Sequence, residues 1–163
     1  MNERKKLAVL EVIKTFESML ATAREGRKNA IEESRHHKGA MESRYDTFKE
    51  EAQYLMTAQD IRISELSDAL FQLRGLLSRP LIPQNRVGIC SLIEIETIED
   101  RSCATYLVLP VGGGVACVIE NRSILTINAL SPLASALMDS FVGDEVEVNL
   151  GGKNKTLAVI SIS

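Results

Sequence analysis

Glu42 and Asp46 lie four residues apart, so on a helix they share one face and can hold an ion between them. The plainer alternative is a first helical turn enriched in acids by the helix dipole. His36 and His37, the only histidines, stand just before them. Imidazole can move protons or sense pH, but adjacent helical positions do not face one metal, and a solvated polar turn accounts for both. Arg24, Lys28 and Arg35 fall on one helical stripe through Ile31, with Arg27, Lys38 and Arg44 nearby. From the residues alone they form a charged outer face balanced by Glu25, Glu32 and Glu33. Cys90, Cys103 and Cys117 cannot all pair and have no C-x-x-C spacing, so they read as reduced core residues rather than metal ligands. The run Gly112, Gly113, Gly114 precedes a strand pattern and lacks the Lys-Ser/Thr of a phosphate loop, so it reads as a flexible hairpin tip.

The elements that must position these residues divide the chain of 163 residues in two. Residues 1–78 carry 13 basic and 13 acidic side chains and no proline, whereas residues 79–163 carry 6 and 9, all four prolines and all three cysteines. Pro80 and Pro83 at the junction remove backbone donors and end a helix there. The formal net charge of -3 argues against a nucleic-acid binder that works by bulk charge, and independent DNA binding is not expected. No apolar run approaches the roughly 20 residues that cross a bilayer, and no signal-peptide core follows MNERKK. The expectation is a cytoplasmic protein without a membrane partner.

In the first half, Val9, Ile13, Phe16, Leu20, Ala23, Arg27 and Ala30 recur at spacings of three and four, a heptad stripe. A second stripe runs through Phe48, Ala52, Leu55, Gln59, Ile63, Leu66, Leu70, Leu73 and Leu77. With Gly39 as the turn residue between them, the two predict an antiparallel coiled coil with Ile13 facing Leu73 and its tip near residues 38–44. Helices of about 35 residues reach on the order of 50 Å. The rival arrangement, a compact bundle folded onto the second half, would show a wider apolar face.

The second half reads as strands with one short helix. RVGICSLIEIETIED alternates from Ile89 to Glu96, CATYLVLP suits a central strand, and GGGVACVIENRSILTIN predicts two strands around a turn at Glu120 to Arg122. Ser131 caps a helix opened by Pro132, whose missing donor costs nothing at that position. DEVEVNL, a turn at Gly151 and Gly152, and KTLAVISIS close the chain as a hairpin. The fold class is therefore α+β, a two-helix coiled coil over 1–78 followed by a sheet-and-helix domain over 79–163.

At these residues a family resemblance becomes visible. LTINALSPLASALMDSFVGDEVEVNLGGKNKTLAVISIS closely resembles the C-terminal end of the GreA/GreB transcript cleavage factors, S-P-[IL]-[AG]-x-[AG]-L followed by a G-D-x-V-x-V strand, a glycine turn and a last strand. YDTFKEEAQYL is similar to the start of that family's second long helix, with Tyr45, Lys49, Glu50 and Leu55 in register. The resemblance implies a coiled-coil finger and an FKBP-like C-terminal domain that docks on bacterial RNA polymerase at the rim of its secondary channel, here through the segment around Ser131, Asp144 and Glu145. It also implies a tip with two catalytic carboxylates that help hold the polymerase's second Mg²⁺ and its attacking water.

Here the sequence departs from the family: aligned without gaps on Tyr45, the family's Asp falls on Lys38 and its Glu on Met41. A one-residue slip brings Glu42 to the Glu position and leaves Asp46 as the second carboxylate. Tyr45 reads as packing across the seam beside Phe48. Basic residues of the family's finger contact the transcript or the channel wall, a phosphate-directed role open here to Arg24, Lys28 and Arg35. The expected protein has no active site of its own, binds no cofactor tightly, and shares Mg²⁺ with RNA polymerase, touching nascent RNA in the complex. It stimulates cleavage of backtracked RNA, or it is a regulator of the same shape whose altered tip does not; a coiled-coil adaptor outside transcription is the third reading. Prolyl isomerisation is not expected, because the second half offers only Tyr106 and Phe141 to line a pocket.

Overall fold

The computed structural model describes residues 3–36, 42–78 and 84–163; the side chains of 33–36, 42–49 and 52 lie outside the description. Two long helices come first, α1 at Glu3–His36 and α2 at Glu42–Leu77. Six strands and a short helix follow: β1 Leu92–Thr97, β2 Ser102–Leu109, β3 Ala116–Ile119, β4 Arg122–Asn128, α3 Pro132–Leu137, β5 Glu145–Leu150 and β6 Lys153–Ile162. The α+β class is as the sequence pattern implied.

The strands form one sheet in the order β3-β4-β2-β1-β6-β5, antiparallel except where β2 runs parallel to β4. Both predicted hairpin turns are present. Glu120 and Asn121 both take left-handed φ between β3 and β4, as do Gly151 and Gly152 between β5 and β6, the two-residue geometry whose twist matches the flanking strands. The glycine run differs from expectation. Because β2 and β4 are parallel, Gly112 to Gly114 do not form a hairpin tip but a packed connection along β4. The Thr126 hydroxyl donates to the Gly112 carbonyl at 2.6 Å, and a Cβ on Gly113 would sit 2.6 Å from the Asn128 backbone nitrogen. Gly113 supplies close backbone approach, and Gly112 and Gly114 supply the left-handed φ of 86° that the connection takes on either side of it. β1 also starts later than the alternation suggested, since Ile89 is half exposed and Cys90 turns the chain with φ 67°.

Alternation along the strands gives the sheet two buried faces. Val87, Ile93, Ile95, Val108, Ile127, Val148, Leu157 and Val159 form one core with Ala134 and Leu137 of α3. Leu107, Leu109 and Ile124 occupy the opposite face and are also buried. The chain divides into two compact units: residues up to Ile13 belong with Gln72 onward, and Lys14–Phe71 form the other. The first turns of α1 thus share a unit with the sheet, with Ala8, Val9 and Val12 buried and Arg4 paired to Glu120 in the β3–β4 turn. The apolar face of α1 is accordingly wider there than the heptad stripe alone, as burial against more than one partner requires. At the β1–β2 turn, Glu99 accepts a hydrogen bond from the Thr156 backbone N–H (2.7 Å), and Asp100 accepts one from the Ser102 hydroxyl. These bonds hold both carboxyls below their usual range. The cysteines split: Cys90 and Cys117 are buried as expected, whereas Cys103, at the polar opening of β2, is exposed.

Among the described residues, Lys5 is the one buried basic side chain, 5% exposed in this unit. Burial holds its ammonium below the ordinary lysine range, opposed in part by Cys90. The unfolded chain then binds more protons than the folded one as pH approaches that range, so this site makes stability rise with pH toward the alkaline side. Lys5→Met keeps the stem and removes the charge. It should raise stability at neutral pH by about 1 kcal/mol or less and flatten the alkaline rise. Thermal melts of both proteins at pH 7 and near pH 10 check this; a lower midpoint for the variant would mean that the ammonium makes a net stabilising pair.

Candidate functional site

The Lys14–Phe71 unit is the body of the finger. Burial of Leu20, Ala23 and Ala30 on α1 and of Leu66 and Leu70 on α2 follows the two stripes. The helices meet at the expected register: Gly26 lies against the Gln59 amide, a Cβ there standing 3.6 Å from it, and the Arg27 guanidinium pairs with Asp60. Facing Ile13 with Leu73 brings Arg27 beside these two residues. Arg27 is therefore committed to a cross-helix ion pair rather than to the basic stripe. Leu55, expected in the seam, is half exposed.

Of that stripe, Arg24 and Lys28 are exposed on α1, with Lys28 loosely paired to Glu32 at 4.0 Å. Arg35 lies on the last turn of α1, and its side chain is outside the described set. Glu42 opens α2 and Asp46 follows one turn later, so both stand on a helix at the spacing that shares a face, although their side chains, like those of His36, Tyr45 and Phe48, are outside the description. His37, Lys38, Gly39 and Met41 lie outside the described residues altogether.

In the sheet domain, the three residues singled out for docking perform local tasks. Ser131 is the N-cap of α3: its hydroxyl accepts from the Ala134 N–H at 3.2 Å, and Pro132 takes the first helical position. Asp144 accepts from the Phe141 N–H at 2.8 Å and so closes the turn through Gly143, which needs φ 94°. Glu145 begins the edge strand β5 and is exposed. What these turns present is apolar. The Asn128 side chain accepts from the Leu130 N–H at 2.8 Å, and Leu130 stands 87% exposed just before the cap. Phe141 and Val142 are exposed in the turn that Asp144 closes. Sequence reasoning named the polar residues and missed these three. The available signal was an apolar residue in each of two turns, Leu130 before a capping Ser-Pro and Phe141-Val142 before Gly-Asp, where no strand or helix could bury it.

The sheet carries an open cleft of about 390 Å³ lined by Glu94, Cys103, Thr105, Tyr106, Arg122 and Ser123, with one aromatic ring among its lining. Among the described residues no group of three or more His, Cys, Asp or Glu is placed to hold a metal, and no helix is long and apolar enough to cross a membrane.

Compared with known proteins, residues 82–163 match the family model described as transcription elongation factor GreA/GreB, C-terminal. The transcription elongation factor GreA of Aliarcobacter butzleri (strain RM4018) is 29% identical over 119 residues, which is 70% of this chain and 70% of that protein. Among solved structures, the transcription factor Gfh1 is 20% identical with a TM-score of 0.40, covering 92% of each chain. Gfh1 of Thermus aquaticus is 22% identical with a TM-score of 0.38, covering 91% of this chain and 92% of its own.

Proposed function

Because the chain belongs to the GreA/GreB family of transcription elongation factors, we propose that it binds RNA polymerase in the cytoplasm, inserts the helix pair into the secondary channel, and acts there on backtracked RNA. It supplies no active site of its own. Glu42 and Asp46 join the polymerase's Mg²⁺, and Arg24, Lys28 and Arg35 face the transcript. The observation that carries this reading is the pairing of a family-matched sheet domain with two helices of 34 and 36 residues in antiparallel register. Helices of that length span on the order of 50 Å. Docking uses the turns around Ser131 and Asp144, whose exposed Leu130, Phe141 and Val142 offer apolar contact beside the charge of Glu145.

A second reading has its own observation. Lys38 and Met41 stand where the gapless alignment puts the family's two acids, so the same shape can regulate polymerase without supporting cleavage. One experiment separates the two. The full chain is added to a stalled, backtracked elongation complex, and both its retention on polymerase and the release of short 3′ RNA fragments are scored. Retention with fragment release is the expected result. Retention with altered elongation and no release selects the regulator, and no retention overturns both.

A further inference from the structure

We infer that one flank of α2, centred on Tyr54, Ala58 and Ile61, is the side of the finger that rests on a basic protein surface of the polymerase, while contact with RNA is left to α1; this inference rests on the functional reading above. The three positions are spaced by four and three, so they form one stripe, and it is turned away from the seam that buries Leu66 and Leu70. Tyr54 is 77% exposed and Ile61 57%, with Leu55 half exposed beside them. Single exposed apolar residues are ordinary on a soluble protein, but two large ones on one stripe within two turns of a helix, with a third exposed on its seam side, are a patch.

Charge says what covers it. From Glu50 to Phe71, α2 carries five acids, Glu50, Glu51, Asp60, Glu65 and Asp68, against one base, Arg62. From Lys14 to Glu32, α1 carries four bases and three acids. A phosphate backbone is repelled along α2 and tolerated along α1. A second copy of the chain is disfavoured on the same ground, because pairing α2 with α2 would bring the two acidic flanks together. An apolar stripe framed by carboxylates is complementary to a protein surface with an apolar hollow rimmed by Lys or Arg.

The test uses the full chain and the polymerase elongation complex. A benzophenone amino acid at position 54 should label a polymerase polypeptide on illumination, and the same probe at position 24 should label the transcript. The double substitution Tyr54→Ser and Ile61→Ser changes only exposed positions and should leave helicity by circular dichroism intact. It should weaken binding by at least about tenfold, since two apolar side chains lose their burial. Undiminished affinity of that variant, or a probe at 54 that labels the transcript or nothing, overturns the inference while the functional reading stands. Failure of the unaltered chain to bind polymerase overturns both.

Discussion

Changing Glu42 to Gln and Asp46 to Asn together is expected to lower stimulated RNA cleavage by about 100-fold or more while affinity for polymerase stays nearly intact. A carboxylate that holds Mg²⁺ contributes a full negative charge to a hard cation, and a neutral amide does not replace it. A 100-fold loss corresponds to about 3 kcal/mol in the barrier, within the range that metal stabilisation of a developing charge supplies. Neither residue lies in the sheet, and both stand on the opening turns of α2, so folding and docking are not expected to change. Each single variant should recover part of its activity as Mg²⁺ is raised, because one remaining carboxylate still binds the ion more weakly. The readout is the rate of 3′ fragment release from a backtracked complex at several Mg²⁺ concentrations, alongside a binding competition. An unaltered protein that binds and changes elongation but releases no fragments at any Mg²⁺ concentration would remove the metal role and point to Lys38 and Met41 as the cause.

Placing an aspartate at Leu66 should melt most of the helix pair, at a cost of several kcal/mol, and leave the sheet's unfolding transition largely in place. Leu66 is 2% exposed in a narrow seam, where an added carboxylate has no partner and no route to water. The same change at Leu73 should behave differently. Leu73 is fully buried, and it belongs to the compact unit that contains the sheet, whereas Leu66 belongs to Lys14–Phe71. Leu73→Asp is therefore expected to lower the sheet's transition as well. Far-ultraviolet circular dichroism follows helix loss, and fluorescence of an extrinsic apolar dye on heating follows exposure of the sheet core. Equal loss of both transitions in Leu66→Asp would mean that the chain unfolds as one cooperative body.

Helix pair, register and most of the strand pattern were legible in the amino-acid sequence because each depends on periodicity that a local run of residues carries. The stripes through Leu20, Ala23, Leu66 and Leu70 name the seam, and aligning them predicts Arg27 beside Asp60 to within one residue. Ser131-Pro132 and Gly151-Gly152 name a helix start and a hairpin turn through their own backbone chemistry. The family motif lies in that same stretch, so membership too could be read there. Other features depend on what distant segments do. Parallel pairing of β2 with β4 turned a supposed hairpin tip into a packed crossing, where Gly113 has no room for a Cβ against Asn128. The ion pair of Arg4 with Glu120 joins positions 116 residues apart, and the burial of Lys5 comes with it, neither of which a local pattern announces. Exposure of Leu130, Phe141 and Val142 likewise appears only once the turns that hold them are closed by Asn128 and Asp144. Periodicity says which face of an element is apolar; which of those faces finds a partner within the fold, and which stays exposed, is decided by the packing of segments remote in the chain.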